Sequence, residues 1–144
     1  MEVKIKKLHP EAVIPKYALD GDAGLDLTAV SMVYENNHYV YGIGLAIEIP
    51  KGYVGLIYPR SSISKKDLVL ANHVPVIDSN FRGEIVLKFK PLVNPLLSSV
   101  GDTYNIGDRI AQLMIVPYPK IKFKEVEELS DSNRGTRSYG STGN

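Results

Sequence analysis

The apolar residues of this chain come in short runs of strand character, each closed by turn residues, and this leaves little room for a helical core. The runs 39–49, 52–58, 84–90 and 109–116 are rich in β-branched and aromatic residues and often alternate with polar ones. Between them stand Pro50-Lys51-Gly52, Asp78-Ser79-Asn80 and Ile106-Gly107-Asp108, all of them turn chemistry. At the start, Val3 and Ile5 alternate with Lys4 and Lys6 until Lys7 and Leu8 break the register, so a short first strand is expected. Nine prolines and twelve glycines punctuate the whole length. Only 61–67 reads as a short helix, with Ser61 or Ser62 as its cap. No βαβ alternation and no internal repeat is visible. The expected architecture is an all-β, jelly-roll-like sandwich or barrel of many short strands.

At 144 residues the chain is long enough for one domain with a sizeable core. Seventeen basic against sixteen acidic residues leave a net charge of +1, which excludes a protein that coats a polyanion. An anion bound here should be small and held locally. Cysteine is absent, so disulfides and thiolate metal sites are excluded. His9, His38 and His73 are scattered and form no zinc spacing. A metal would be a hard cation on oxygen ligands, magnesium first. Residues 1–7 lack the apolar run of a signal peptide, and no stretch of about eighteen apolar residues occurs, so a soluble, cytoplasmic protein is expected.

The densest polar chemistry lies in residues 134–144. Three glycines, four hydroxyls, Arg134, Arg137 and Tyr139 make a poor core but a good phosphate lid, with a frayed, solvated tail as the alternative. This divides the chain into a body, 1–133, and a glycine-rich flexible lid, 134–144. Four more clusters repeat the chemistry. Asp26 closes the turn 22–27, where an ordinary turn aspartate is the alternative. In 58–63 a strand ends and serines follow Arg60, which suits an anion site or a plain helix cap. Residues 72–84 read as a hairpin whose bend carries Asp78, with Phe81 and Arg82 after it. In 107–112 a turn enters a buried strand, and Gln112 would be an odd core residue unless it serves a site.

Taken together and in order, these clusters resemble the five motifs of the trimeric dUTP nucleotidohydrolases, from about residue 22 to the C-terminus. The matching pieces are Ala-Gly-x-Asp-Leu at 23–27, Pro-Arg-Ser at 59–61, Ile-Asp-x-x-aromatic-Arg-Gly at 77–83, Gly-Asp-Arg-Ile-Ala-Gln at 107–112, and Arg-Gly…aromatic-Gly-Ser-Thr-Gly at 134–143. The resemblance implies a jelly-roll homotrimer whose three active sites each draw on all three chains. It also implies Mg2+-dependent cleavage of dUTP to dUMP and pyrophosphate, which keeps uracil out of DNA and supplies dUMP for thymidylate synthesis.

The same resemblance implies residue roles. Asp78 would hold the sugar 3′-hydroxyl and orient or deprotonate the attacking water. Gln112 would contact the α-phosphate or that water, and Asp26 would reach magnesium through water. Arg60, Ser61 and Ser62 would line the phosphates. Arg134 would grip the γ-phosphate with Ser141 and Thr142, beside Gly140, while Tyr139 would stack on uracil. Asn72 and the hairpin backbone would read the uracil edge, and refusals of that kind reach about four to five orders of magnitude. Val76 and Ile77 would wall out the 5-methyl of thymine, and Phe81 would lie against the deoxyribose.

Several positions depart from the family pattern. Pro75 stands for a usual glycine and removes one backbone donor from the uracil loop. Phe81 replaces tyrosine, Ser62 replaces a common glycine, Tyr139 replaces phenylalanine, and Arg137-Ser138 replace two glycines. The alternatives are a dCTP deaminase-like enzyme of the same fold and a non-catalytic dUTP-binding regulatory trimer. Asp78 followed by Phe81-Arg82-Gly83, together with Gln112, favours the hydrolase.

Overall fold

A computed structural model describes residues 1–93, 102–133 and 135–137. Among these residues the strands are β1 (Lys4–Lys7), β2 (Leu25–Thr28), β3 (Ser31–Glu35), β4 (His38–Gly42), β5 (Leu45–Glu48), β6 (Tyr53–Pro59), β7 (Leu68–Leu70), β8 (Val76–Ile77), β9 (Val86–Pro91) and β10 (Arg109–Pro117). A single 3₁₀ turn, Ser61–Lys65, follows β6. Two four-stranded sheets, in the orders β2-β10-β6-β8 and β3-β4-β9-β7, are accompanied by a two-stranded sheet, β1-β5. All the pairings are antiparallel.

The alternation in the sequence becomes a two-faced sheet. In β9, Leu87 and Phe89 are buried while Val86, Lys88 and Lys90 are exposed. Leu27, Ile57 and Leu113 from one sheet and Tyr41, Leu87 and Phe89 from the other share one apolar cluster, which makes the molecule a sandwich. Tyr41, Phe89 and Tyr104 meet edge to face with ring centroids 5.7–6.3 Å apart. The Tyr41 hydroxyl donates to the Tyr104 carbonyl at 2.9 Å, so the polar tip of this buried ring is satisfied.

Three local expectations are revised and one turn is added. The run 39–49 is two strands, because Gly44 (φ +66°) turns the chain out of one sheet and into the next. A Cβ there would stand 2.7 Å from the His9 Cβ, so conformation and space both require glycine. Asn36 (φ 49°) and Asn37 (φ 61°) close a tight β3–β4 hairpin that the run-by-run reading did not mark. The helix expected over 61–67 is the 3₁₀ turn, with Arg60 rather than a serine at its N-cap position and no side-chain cap. Finally, 72–84 does not pair with itself: β8 pairs with β6 instead. The Pro75 carbonyl supports this by accepting the Ile57 N–H at 3.0 Å.

Candidate active site

Strand register assembles the centre of the site. Gln112 on β10 lies opposite Asp26 on β2 and opposite Tyr58 on β6, which puts the three side chains in one row across the sheet. The neighbouring row, Leu25–Leu113–Ile57, points the other way, into the core. Gln112 is therefore no misplaced core residue; it lies on the outward face. Next to it lies a cleft of about 480 Å³ lined by Asp22, Ala23, Gly24, Asp26, Tyr58, Arg60, Ser61, Gln112 and Met114. The first, second and fourth sequence clusters meet there.

The cleft carries an ordered charge arrangement. Asp26 Oδ1 accepts from Arg60 Nε at 2.7 Å, and Asp26 Oδ2 accepts from Arg109 Nη1 at 2.9 Å. Asp26 is only 19% exposed and Arg60 27%, so that hydrogen-bonded pair is partly withdrawn from water, while Arg109 is 54% exposed. Taken as ions, the triad carries +1, which offsets the Asp22 carboxylate in the lining of the cleft. The Gln112 amide donates from Nε2 to the Pro59 carbonyl at 3.3 Å. Ser61 opens the 3₁₀ turn directly after Arg60, while the Ser62 hydroxyl lies 3.4 Å from the Tyr104 hydroxyl.

The third cluster stands elsewhere on the chain. Asn72, Val76, Asp78 and Phe81 are exposed and do not line this cleft. Val76 shares the cleft-side face of the sheet, in the row of Met114 and Leu56. Ile77 packs against the core beside Gly55. Val76 and Ile77 thus present their side chains to opposite faces of the sheet, as successive strand residues do. The Phe81 ring folds over Gly83, where a Cβ would stand 2.8 Å from Phe81 Cζ. Arg82 ties the bend by donating from Nη1 to the Ser79 and Phe81 carbonyls, both at 2.8 Å.

Arg134, Tyr139, Gly140, Ser141 and Thr142 lie outside the described residues. Arg137 is exposed and donates to the Asn133 carbonyl at 2.6 Å. The sequence reading gave no role to Arg109, which stands inside a recognised motif, nor to Tyr58 or Met114. Only the register shows where these side chains point.

A strand-built cleft that offers guanidinium, amide and hydroxyl groups on an all-β sandwich defines the class, a domain that binds a small anionic ligand. Residues 10–143 match the dUTPase family model, and the chain belongs to the dUTPase family. It is 40% identical to the deoxyuridine 5′-triphosphate nucleotidohydrolase of Corynebacterium glutamicum, over 98% of this chain and 94% of that one. The enzyme of the same name from Picosynechococcus sp. is also 40% identical, over 99% of both chains. Among solved structures, the Staphylococcus bacteriophage 80alpha dUTPase with dUpNHpp superposes with a TM-score of 0.82 at 29% identity, over 99% of this chain and 98% of that one. A phage phi11 dUTPase mutant from S. aureus, reported for its coordination of a structural Mg(II) ion, superposes with a TM-score of 0.75 at 28% identity, over 89% of this chain and 98% of that one.

Proposed function

We propose that this protein is a dUTP diphosphatase that converts dUTP and water into dUMP and pyrophosphate. The observation that carries the reading is the meeting of Asp26, Arg60, Ser61 and Gln112 in one cleft of a chain that belongs to this family. In the reaction a water oxygen bonds to the α-phosphorus, and the bridging bond from that phosphorus to the β-phosphate oxygen breaks. Pyrophosphate leaves, and a proton from the water passes to a base.

Arg60, Ser61 and Ser62 hold the phosphate chain, and Gln112 presents its amide to the α-phosphate or the water. Asp78, supplied by a neighbouring chain, holds the 3′-hydroxyl and takes the proton of the water. Its placement off the cleft within one chain is what a site shared in a homotrimer requires. Asn72 and the 72–78 backbone read the uracil edge, and Val76 crowds position 5 of the base. Ile77 contributes through its backbone, and Phe81 lies under the deoxyribose. The body 1–133 carries these groups, while 134–144 forms a lid in which Arg134, Ser141 and Thr142 hold the γ-phosphate. In that lid Gly140 allows close approach and Tyr139 stacks on the base.

Magnesium fits as an ion carried mainly by phosphate oxygens and water. Among the described residues no group of three or more His, Cys, Asp or Glu side chains forms a metal cage. Asp26 gives one lone pair of each oxygen to an arginine and keeps others for metal-bound water. When bound, Mg2+ neutralises charge on the phosphates and the leaving pyrophosphate. No helix among the described residues is long and apolar enough to cross a membrane, and a free nucleotide substrate suits work in the cytoplasm, or inside a host cell for a phage-encoded enzyme.

Incubation with dUTP, dCTP, dTTP and UTP in magnesium, with the products identified, tests the reading. Pyrophosphate from dUTP alone is expected. Ammonia from dCTP would replace the hydrolase with a deaminase, and tight dUTP binding without turnover would replace it with a regulatory binder.

A further inference from the structure

Arg109 raises a question that its place in the sequence hides. Three residues before Gln112 on a regular strand, its side chain should point to the opposite face, towards the core. The pairing of β10 with β2 shifts between Arg109 and Ala111, so Ile110 is an extra residue in the strand. Ile110 and Ala111 are both fully buried, consecutive residues on one side, as a bulge requires. Beyond the bulge Arg109 pairs with Thr28, two residues from Asp26, and returns to the outward face. There it meets Asp26 Oδ2 at 2.9 Å.

Arg109 does not line the cleft that holds Asp26, Arg60 and Gln112; it lines an adjoining depression of about 300 Å³ with Ser62, Lys66, Tyr104, Asp108 and Arg60, which the two hollows share. Among the described residues its hydrogen bond towards the cleft is the one to Asp26. Asp26 in turn grips Arg60 by Nε alone, and among the described residues the Nη1 and Nη2 groups of Arg60 have no protein partner. Those two groups form the fork that matches phosphate oxygens. With Asp26 as its only partner, Arg60 would be neutralised as an ion pair. With Arg109 added, the carboxylate is shared between two guanidinium groups, and the triad as a whole carries +1.

We propose that Arg109 is a positioning residue: through Asp26 it holds the guanidinium of Arg60 with its fork turned to the phosphates, and the bulge at 109–111 is the device that places it there. The proposal rests on the reading that Arg60 binds phosphate, and the test separates the two. Affinity for a non-hydrolysable dUTP analogue, KM, kcat and the thermal midpoint are measured for the full chain and for Arg60→Met, Arg109→Met, Arg109→Lys and the double Met variant.

Arg60→Met and Arg109→Met should each weaken analogue binding roughly tenfold and raise KM more than they lower kcat. The double variant should bind about as weakly as Arg60→Met alone, since removing Arg60 leaves Arg109 nothing to orient. Arg109→Lys should recover part of the loss. Unchanged binding by Arg60→Met would remove the phosphate role itself. Weakening by Arg60→Met with full affinity in Arg109→Met would overturn the relay, and so would a loss confined to the thermal midpoint. Multiplying losses in the double variant would mean that Arg109 acts independently of Arg60, which also overturns it.

Discussion

Gly24 lies hard against Gln112: a Cβ built on Gly24 would collide with Gln112 Oε1 and stand 3.1 Å from its Cδ. The backbone of the first cluster thus forms one wall around the amide of the fourth, and the carbonyl of Pro59, from the second, accepts its N–H. The side chain proposed to meet the α-phosphate is aimed by two other clusters.

Gly24→Ala should therefore displace Gln112 while sparing the fold, because Gly24 is at the rim of the cleft and only half-buried. A misplacement of about 1 Å can cost on the order of 100-fold in rate. Steady-state kinetics should show kcat down by roughly ten- to a hundredfold, with a thermal midpoint within a few degrees of the parent. A variant with parental kcat would show that the orientation of Gln112 is unimportant.

Asp78→Ala should abolish turnover while leaving nucleotide binding within about tenfold, since a group acting on the attacking water contributes mainly in the transition state. Single-turnover kinetics and analogue titration give the two quantities separately. Undiminished turnover would exclude Asp78 as the water-orienting carboxylate.

Removal of residues 134–144 should preserve the oligomer and cripple catalysis, because closure of a lid excludes water and completes the phosphate contacts. Light scattering reads the first and product formation the second. Loss of the folded assembly would instead make this segment a structural arm.

Burial raises the Tyr41 hydroxyl above its ordinary 10.0, offset in part by hydrogen bonds to Thr103 and to the backbone of Tyr104. The folded chain keeps this proton longer than the unfolded one. The stabilising effect is thus fully present below pH 10.0 and is lost as pH rises from there through the higher folded value. In that window Tyr41 contributes a slope of up to about 1.4 kcal/mol per pH unit. Tyr41→Phe should flatten the alkaline fall in stability by that amount, seen in denaturant melts from pH 9 upward. It should also lower stability at neutral pH by about 1 kcal/mol for the lost bond to the Tyr104 carbonyl. Equal alkaline slopes in both proteins would remove Tyr41 as the cause.

The strand runs were legible because a half-buried strand writes its burial into every second residue, as Leu87 and Phe89 do in β9. Gly44 was harder to read. The run 39–49 holds two glycines, Gly42 and Gly44, and nothing local marks which one must turn the chain between two sheets. The partner of β8 was illegible for a related reason, since two residues carry too little pattern to choose β6 over a hairpin return. Asp26, Arg60, Ser61 and Gln112 were marked as site residues by their motifs, yet the carboxylate's double engagement with Arg60 and Arg109 was not. That engagement depends on a one-residue bulge, and the sequence Arg-Ile-Ala-Gln is equally good without it.

What the chain's residues determined alone is chemistry and class: short alternating strands, no thiols, a near-neutral charge, and separated clusters of phosphate-seeking groups. Those properties follow from side-chain type and local spacing. The tertiary structure alone decided which clusters share a cleft, which face Val76, Ile77 and Arg109 present, and that Asp26 holds two guanidinium groups. These outcomes depend on strand register, and a shift of one residue in register reverses every side chain beyond it.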